Sequence, residues 1–194
     1  MKHCALWWSG IVAISMCLAG CATWRTPPQG VWCAEHWGFE GRMAVAMGRE
    51  GFNAAVRWHK NGPAFDLALW GPFGAGAVQL EGQLQGPFTM TRNGRKQQYQ
   101  ALPEEVLWAE LGVWFPVSLL QYWVLGREAP QWPAHWEHAP EGRVLQQAGF
   151  EVRYQDKDKD DVPGLPRRVV ITGQGARLKL FVRQWLLPAQ CHDG

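Results

Sequence analysis

The sequence predicts a mainly β, α+β fold: an antiparallel meander with one apolar face and two short helices laid against its concave side. Three observations predict it. Apolar and polar residues alternate in successive short runs, of which residues 52–59 and 65–70 are the clearest. Asn61-Gly62 and Asn93-Gly94 fall between such runs, and Asn-Gly suits a two-residue hairpin because both positions need positive φ. Over residues 102–126 the alternation gives way to helical spacing with start and stop residues.

Ahead of the strands lies a separate module. Lys2 supplies a positive start, residues 6–18 are apolar apart from small residues and Ser9 and Ser15, and Leu18-Ala19-Gly20-Cys21 closes the run. A membrane-spanning helix needs about 20 apolar residues, so this run is too short, and its small residues fit a signal peptidase pocket. Leu-Ala-Gly-Cys resembles the bacterial lipobox. That resemblance implies that residues 1–20 are a lipoprotein signal peptide and that Cys21 becomes the acylated first residue. Each buried methylene contributes about 0.8 kcal/mol, so several chains hold the protein to one leaflet. Ala22, where Asp commonly causes inner-membrane retention, implies an outer-membrane address facing the periplasm.

Residues 21–36 contain Thr26-Pro27-Pro28-Gln29-Gly30 and read as a lipidated tether. Residues 37–188 are long enough for one domain with its own core, and residues 189–194 are a tail. The net charge is +2 and the basic residues are scattered along the chain, which excludes nucleic acid as a partner. No second stretch is apolar enough to cross a bilayer as a helix. Of the 13 tryptophans, only Trp7 and Trp8 leave with the signal. The others can fill a core, line an apolar cavity or sit at a membrane interface. Cys4 and Cys17 also leave, and Cys33 and Cys191 remain, one near each end of the domain. The oxidising periplasm allows a bridge between them, as a staple and not a redox centre.

Residues 37–47 alternate into the first strand, and residues 48–51 turn the chain. In the second strand Phe52, Ala54, Val56 and Trp58 share one face, with Asn53, Ala55, Arg57 and His59 on the other. Phe65, Leu67 and Leu69 line one face of the third strand, with Asp66 and Ala68 opposite. Gly71-Pro72-Phe73-Gly74 then breaks the strand, because this run holds no regular β geometry. Phe73 is left near a loop tip. It either folds back over its own sheet or contacts a membrane or an acyl chain. Val78 and Leu80 begin a fourth strand, and Phe88 and Met90 alternate with Thr89 and Thr91 into the second hairpin.

Pro103, Glu104 and Glu105 suit a helix N-terminus and Gly112 its stop. Pro116 opens a second helix with Leu119, Leu120, Trp123 and Val124 on one stripe, ended by Gly126. Two short amphipathic helices beside a meander need an apolar partner, and the concave face of the sheet supplies it. Residues 127–142 read as loop. Residues 149–155, 167–172 and 176–187 read as strands, with a charged turn at residues 156–161.

Little catalytic chemistry is present. After the signal the only serine is Ser118, in a helical stretch without a Gly-x-Ser-x-Gly elbow. His135-Trp136-Glu137-His138 lies between Pro133 and Pro140 and reads as surface loop, not as a metal site. Lys157 and Lys159 offset the charge a calcium site would need from Asp156, Asp158, Asp160 and Asp161. No phosphate loop or dinucleotide fingerprint occurs. The sequence therefore points to neither an enzyme nor a metal or cofactor protein.

Several separated segments resemble the LolB family of outer-membrane lipoprotein receptors. They are Phe39-Glu40-Gly41-Arg42-Met43-Ala44-Val45, Trp58 ahead of Gly71-Pro72-Phe73-Gly74, and Tyr122-Trp123-Val124-Leu125-Gly126. To these the C-terminal part adds Leu165-Pro166, residues 169–172, Gly175, Arg177-Leu178-Lys179-Leu180 and Trp185. The resemblance spans about residues 37–187. It implies an unclosed antiparallel β-barrel capped by helices, whose apolar concave face holds the acyl chains of other lipoproteins. It also implies a LolA-like periplasmic carrier, acylated lipoprotein cargo and outer-membrane lipid as partners, a monomer, and no cofactor. The family usually has Leu between Pro and Gly of the protruding loop, and this chain has Phe73, so Gly71, Pro72, Phe73 and Gly74 are the expected membrane-delivery loop. The expected cavity residues are Trp58, Leu67, Leu69, Leu80, Leu120, Trp123, Leu180 and Val182, whose alternation core packing would produce equally. A structural or assembly lipoprotein, presenting its sheet to protein partners, is the alternative function.

Overall fold

In the computed structural model, residues 35–71, 76–112, 115–155, 162 and 164–189 are described. Cys21, Cys33, Cys191, Pro72, Phe73, Gly74 and the charged turn lie outside them. The alternating runs become strands β1 (His36–Met47), β2 (Glu50–Asn61), β3 (Ala64–Trp70), β4 (Val78–Gln83), β5 (Phe88–Arg92) and β6 (Arg95–Tyr99). Helices α1 (Pro103–Leu111) and α2 (Val117–Trp123) follow. Strands β7 (Ala134–Ala139), β8 (Gly142–Gln147), β9 (Phe150–Gln155), β10 (Arg168–Gly173) and β11 (Ala176–Leu186) complete the described chain.

The strands form one 11-stranded sheet in the order β6-β5-β4-β3-β2-β1-β11-β10-β9-β8-β7. Two meanders are thus joined in the middle, where β1 pairs antiparallel with β11. The strands β6 and β7 are free edges, so the barrel is unclosed. The β6 edge, Arg95-Lys96-Gln97-Gln98-Tyr99, is charged and exposed, which discourages pairing with another chain.

Both hairpins form, but the first turns one residue later than expected, at Gly62 (φ 58°) and Pro63, with Asn61 still paired to Ala64 at the end of β2. Asn93 (φ 51°) and Gly94 (φ 75°) both lie in the left-handed region between β5 and β6. In α1, Pro103 occupies the first turn with Glu104 and Glu105, and Gly112 (φ 64°) caps the end, donating its N–H to Trp108 O. The turn of α2 runs on past Trp123 until Gly126 (φ 70°).

Residues 127–142 depart from the expected loop, because β7 and the start of β8 lie within them. The edge strand β7 offers only Trp136 to the interior, stacked on Tyr154 at 5.8 Å. In β8 the inward positions include Arg143 and Gln147, so polar residues occupy the face that usually reveals a strand. A half-exposed edge and a polar inward face both erase the period-2 signal. Along β7, His135 and His138 fall on opposite faces of the strand, a spacing unsuited to sharing an ion.

Candidate functional site: the helix-covered face of the sheet

Each strand buries alternate residues, and cross-strand register gathers these into ranks on one inner face. The first rank runs Met90, Leu80, Leu67, Trp58, Phe39, Trp185 across β5, β4, β3, β2, β1 and β11. The second runs Val78, Leu69, Val56, Gly41, Val182. The third runs Ala54, Met43, Leu180, Val169, Tyr154. All of these side chains belong to the buried core, and Trp58, Leu67 and Leu80 are completely covered.

Gly41 has a specific reason in the second rank. The β1–β11 register shifts between Glu40 and Gly41, and the bulge brings the Phe181 carbonyl against the place where a Cβ would stand. Next to it Trp37, Phe39, Trp58 and Trp185 form an aromatic group with ring centroids 5.4–6.4 Å apart. The indole N–H groups of Trp58 and Trp185 are buried and make no hydrogen bond among the described residues.

Helix α2 closes this face. Val117, Leu119, Leu120, Gln121 and Trp123 are buried, so little of α2 meets water. The side chain of Gln147 on β8 holds its end in place. Gln147 Oε1 accepts from Trp123 Nε1 at 2.8 Å and from the Ala129 N–H at 2.8 Å. Its Nε2 donates to the carbonyls of Ala129 and Trp132, each at 2.9 Å. A buried amide with every polar atom engaged fixes the orientation of what it touches. Ser118 donates to Glu104, which links α2 to α1. Tyr99 OH and Arg92 Nη1 both donate to Glu110, tying α1 to the β5–β6 edge. Burial with the nearby Glu110 carboxylate pushes the Tyr99 phenol above its usual range.

The structure brings Trp58, Leu67, Leu69, Leu80, Leu120, Trp123, Leu180 and Val182 together in one core, six from the sheet and two from α2. Among them only Leu180 also borders a groove of about 1100 Å³, which lies on the opposite, outer face of the sheet. The predicted delivery loop is described only at Gly71, where the chain leaves β3, and it returns at β4. Sequence reasoning missed Gln147, since nothing in Val144-Leu145-Gln146-Gln147 marks which Gln turns inward. Among the described residues no group of His, Cys, Asp and Glu is arranged to hold a metal ion.

The family model described as outer membrane lipoprotein LolB matches residues 35–185. The chain is 31% identical to the outer-membrane lipoprotein LolB of Chromohalobacter salexigens, over 93% of this chain and 90% of that protein. It is 32% identical to that of Nitrosococcus oceani, over 96% of this chain and all of the relative's length (100%). Among solved structures, a LolA superfamily protein from Nitrosomonas europaea superposes with a TM-score of 0.51 at 9% identity, covering 81% of this chain and 88% of that one. That likeness concerns the fold: a similar open sheet carried by an unrelated-looking sequence. With the family model spanning all but the last residue of the described sheet, and relatives above 30% identity along nearly the full chain, the protein belongs to the outer-membrane lipoprotein LolB family.

Proposed function

We propose that this protein receives acylated lipoproteins from a LolA-like periplasmic carrier and inserts them into the inner leaflet of the outer membrane. It is a lipoprotein-trafficking protein and not an enzyme. The observation that carries the reading is the match of residues 35–185 to the family, together with the three apolar ranks that share one core with the buried side chains of α2. Cargo acyl chains would lie against Trp58, Leu67, Leu69, Leu80, Leu120, Trp123, Leu180 and Val182. Each methylene kept from water contributes about 0.8 kcal/mol, which disfavours free lipoprotein in the periplasm and drives transfer from carrier to receptor to bilayer. No nucleotide or covalent step is needed.

Residues 1–20 as signal, acylated Cys21, the tether at residues 21–36 and the tail at residues 189–194 complete the reading. So do Phe73 in Gly71-Pro72-Phe73-Gly74 as the group that enters the bilayer, a monomeric state, and Cys33 and Cys191 as the candidate disulfide pair. The packed interior equally suits a structural lipoprotein, and one assay separates the two. Carrier loaded with labelled lipoprotein is mixed with liposomes and this protein, either wild type or Phe73→Glu. Wild type is expected to deliver cargo, and Phe73→Glu to accept it without releasing it into membrane. A folded wild type that neither accepts nor delivers would leave the structural lipoprotein as the better reading.

A further inference from the structure

The outer face of the sheet, away from the helices, collects cations that lie far apart in sequence. One rank across β3, β2, β1, β11 and β10 reads Trp70, Ala55, Arg42, Phe181, Arg168. Five neighbouring strands make this rank about 19 Å wide. The next rank carries Asn53, Ala44, Lys179 and Val170. Small residues at the centre leave a groove of about 1100 Å³ bordered by Arg42, Arg168, Arg177 and Lys179. None of the described residues lining it is acidic.

Other acids on this face stand outside the groove: Asp66 on β3 accepts from Gln79 Nε2 and Glu81 lies beside it on β4, while two others are paired with arginines. Glu40 accepts from Arg57 at 3.1 Å and from Arg183 at 2.7 Å, and Glu151 accepts from Arg153 at 2.6 Å. Among the described residues no carboxylate pairs with the exposed side chains of Arg42 and Lys179. Arg168 stands over the Phe181 ring at 5.5 Å, and Arg57 over Trp70 at 5.8 Å, so cations and aromatic faces alternate. Trp70 and Gly71 border the groove and are also the residues through which the chain enters the delivery loop.

We infer that this outer face is a docking surface for the anionic phosphates of a bilayer, reaching to the end of β3 where the chain leaves the sheet. The juxtaposition of Arg42, Lys179 and Arg168 with Trp70 at the root of the loop carries the inference. The membrane step of the proposed function supplies its biological role, whereas binding itself can be read without cargo.

The test uses residues 21–194 with Cys21→Ala, which removes the acyl anchor and keeps every described residue. Co-flotation is measured with neutral phosphatidylcholine vesicles and with vesicles containing about one-quarter phosphatidylglycerol. The expected preference for anionic vesicles is on the order of tenfold. It should collapse near about 0.5 M salt, where charges beyond a few ångströms are screened. Arg42→Gln/Lys179→Gln should lose the preference with unchanged circular dichroism, while Arg42→Lys/Lys179→Arg keeps it. Lys179→Glu alone, at an exposed side chain, gives the same reading if the double variant folds poorly. Phe73→Glu should weaken flotation on both vesicles and retain the preference. A wild type without preference, or a folded neutral variant that keeps it, overturns the inference. A neutral variant that keeps the preference and fails to take cargo from the carrier overturns it too, making this face a carrier-docking surface. Failure of the wild type to accept cargo would remove the receptor reading and leave the flotation result standing.

Discussion

Trp58 contributes through the shape and area of its ring and not through its N–H. The side chain has no exposed surface, lies opposite Leu67 and Phe39, and touches the rings of Trp37 and Phe39 at 5.4 and 6.2 Å. Its Nε1 meets no acceptor among the described residues, which costs roughly 1–3 kcal/mol for a buried donor. Two substitutions therefore separate the effects. Trp58→Ala is expected to destabilise by about 3–5 kcal/mol, as large core aromatics do when truncated. Trp58→Phe loses ring area and also removes the unpaired donor, so its expected cost stays below about 2 kcal/mol. Urea denaturation of both variants reads the difference; equal losses would mean that the N–H is satisfied.

Helix α2 is short, and its place is set by what it buries and by one amide on a neighbouring strand. Its apolar side chains were legible in the spacing of Leu119, Leu120 and Trp123, because helical periodicity is local. The clamp was not, because Gln147 is separated from Trp123 by a turn, an edge strand and most of β8. Replacing Gln147 by Leu leaves Trp123 Nε1, the Ala129 N–H and the carbonyls of Ala129 and Trp132 without their partner. The expected loss is about 3–5 kcal/mol, the range for breaking a buried polar network. Loss of hydrogen-exchange protection should concentrate in α2 and residues 124–132. A variant as stable as wild type would show that packing alone positions the helix. For the same reason β7 was missed: an edge strand whose neighbour turns Arg143 and Gln147 inward offers no alternation to read.

At the scale of the whole molecule, the sheet joins its two halves where β1 meets β11, and Glu40 sits on that seam. Hydrogen bonding from Arg183, joined by Arg57, holds the Glu40 carboxyl below its ordinary 4.5. Arg153 does the same for Glu151 on β9. A carboxyl depressed in the folded state adds stability that is full above its unfolded value and fades as pH falls through the lowered one. Wild type and Glu40→Gln should therefore differ in Tm at neutral pH and converge below 4.5. A difference that persists in acid would assign it to something other than the carboxylate. Exposure and salt keep this contribution small. Local information by itself determined the hairpin at Asn93-Gly94, both helices and the apolar side of β2, β3, β5 and β11, since turn chemistry and periodicity act between near neighbours. The order of short motifs along the chain likewise carried the family. Only tertiary structure decided that β11 returns to β1, that Gln147 clamps α2, and that cations scattered from Arg42 to Lys179 gather on one outer face. Those depend on cross-strand register, which pairs residues more than a hundred positions apart, Ala44 with Lys179 among them, and no local pattern encodes that pairing.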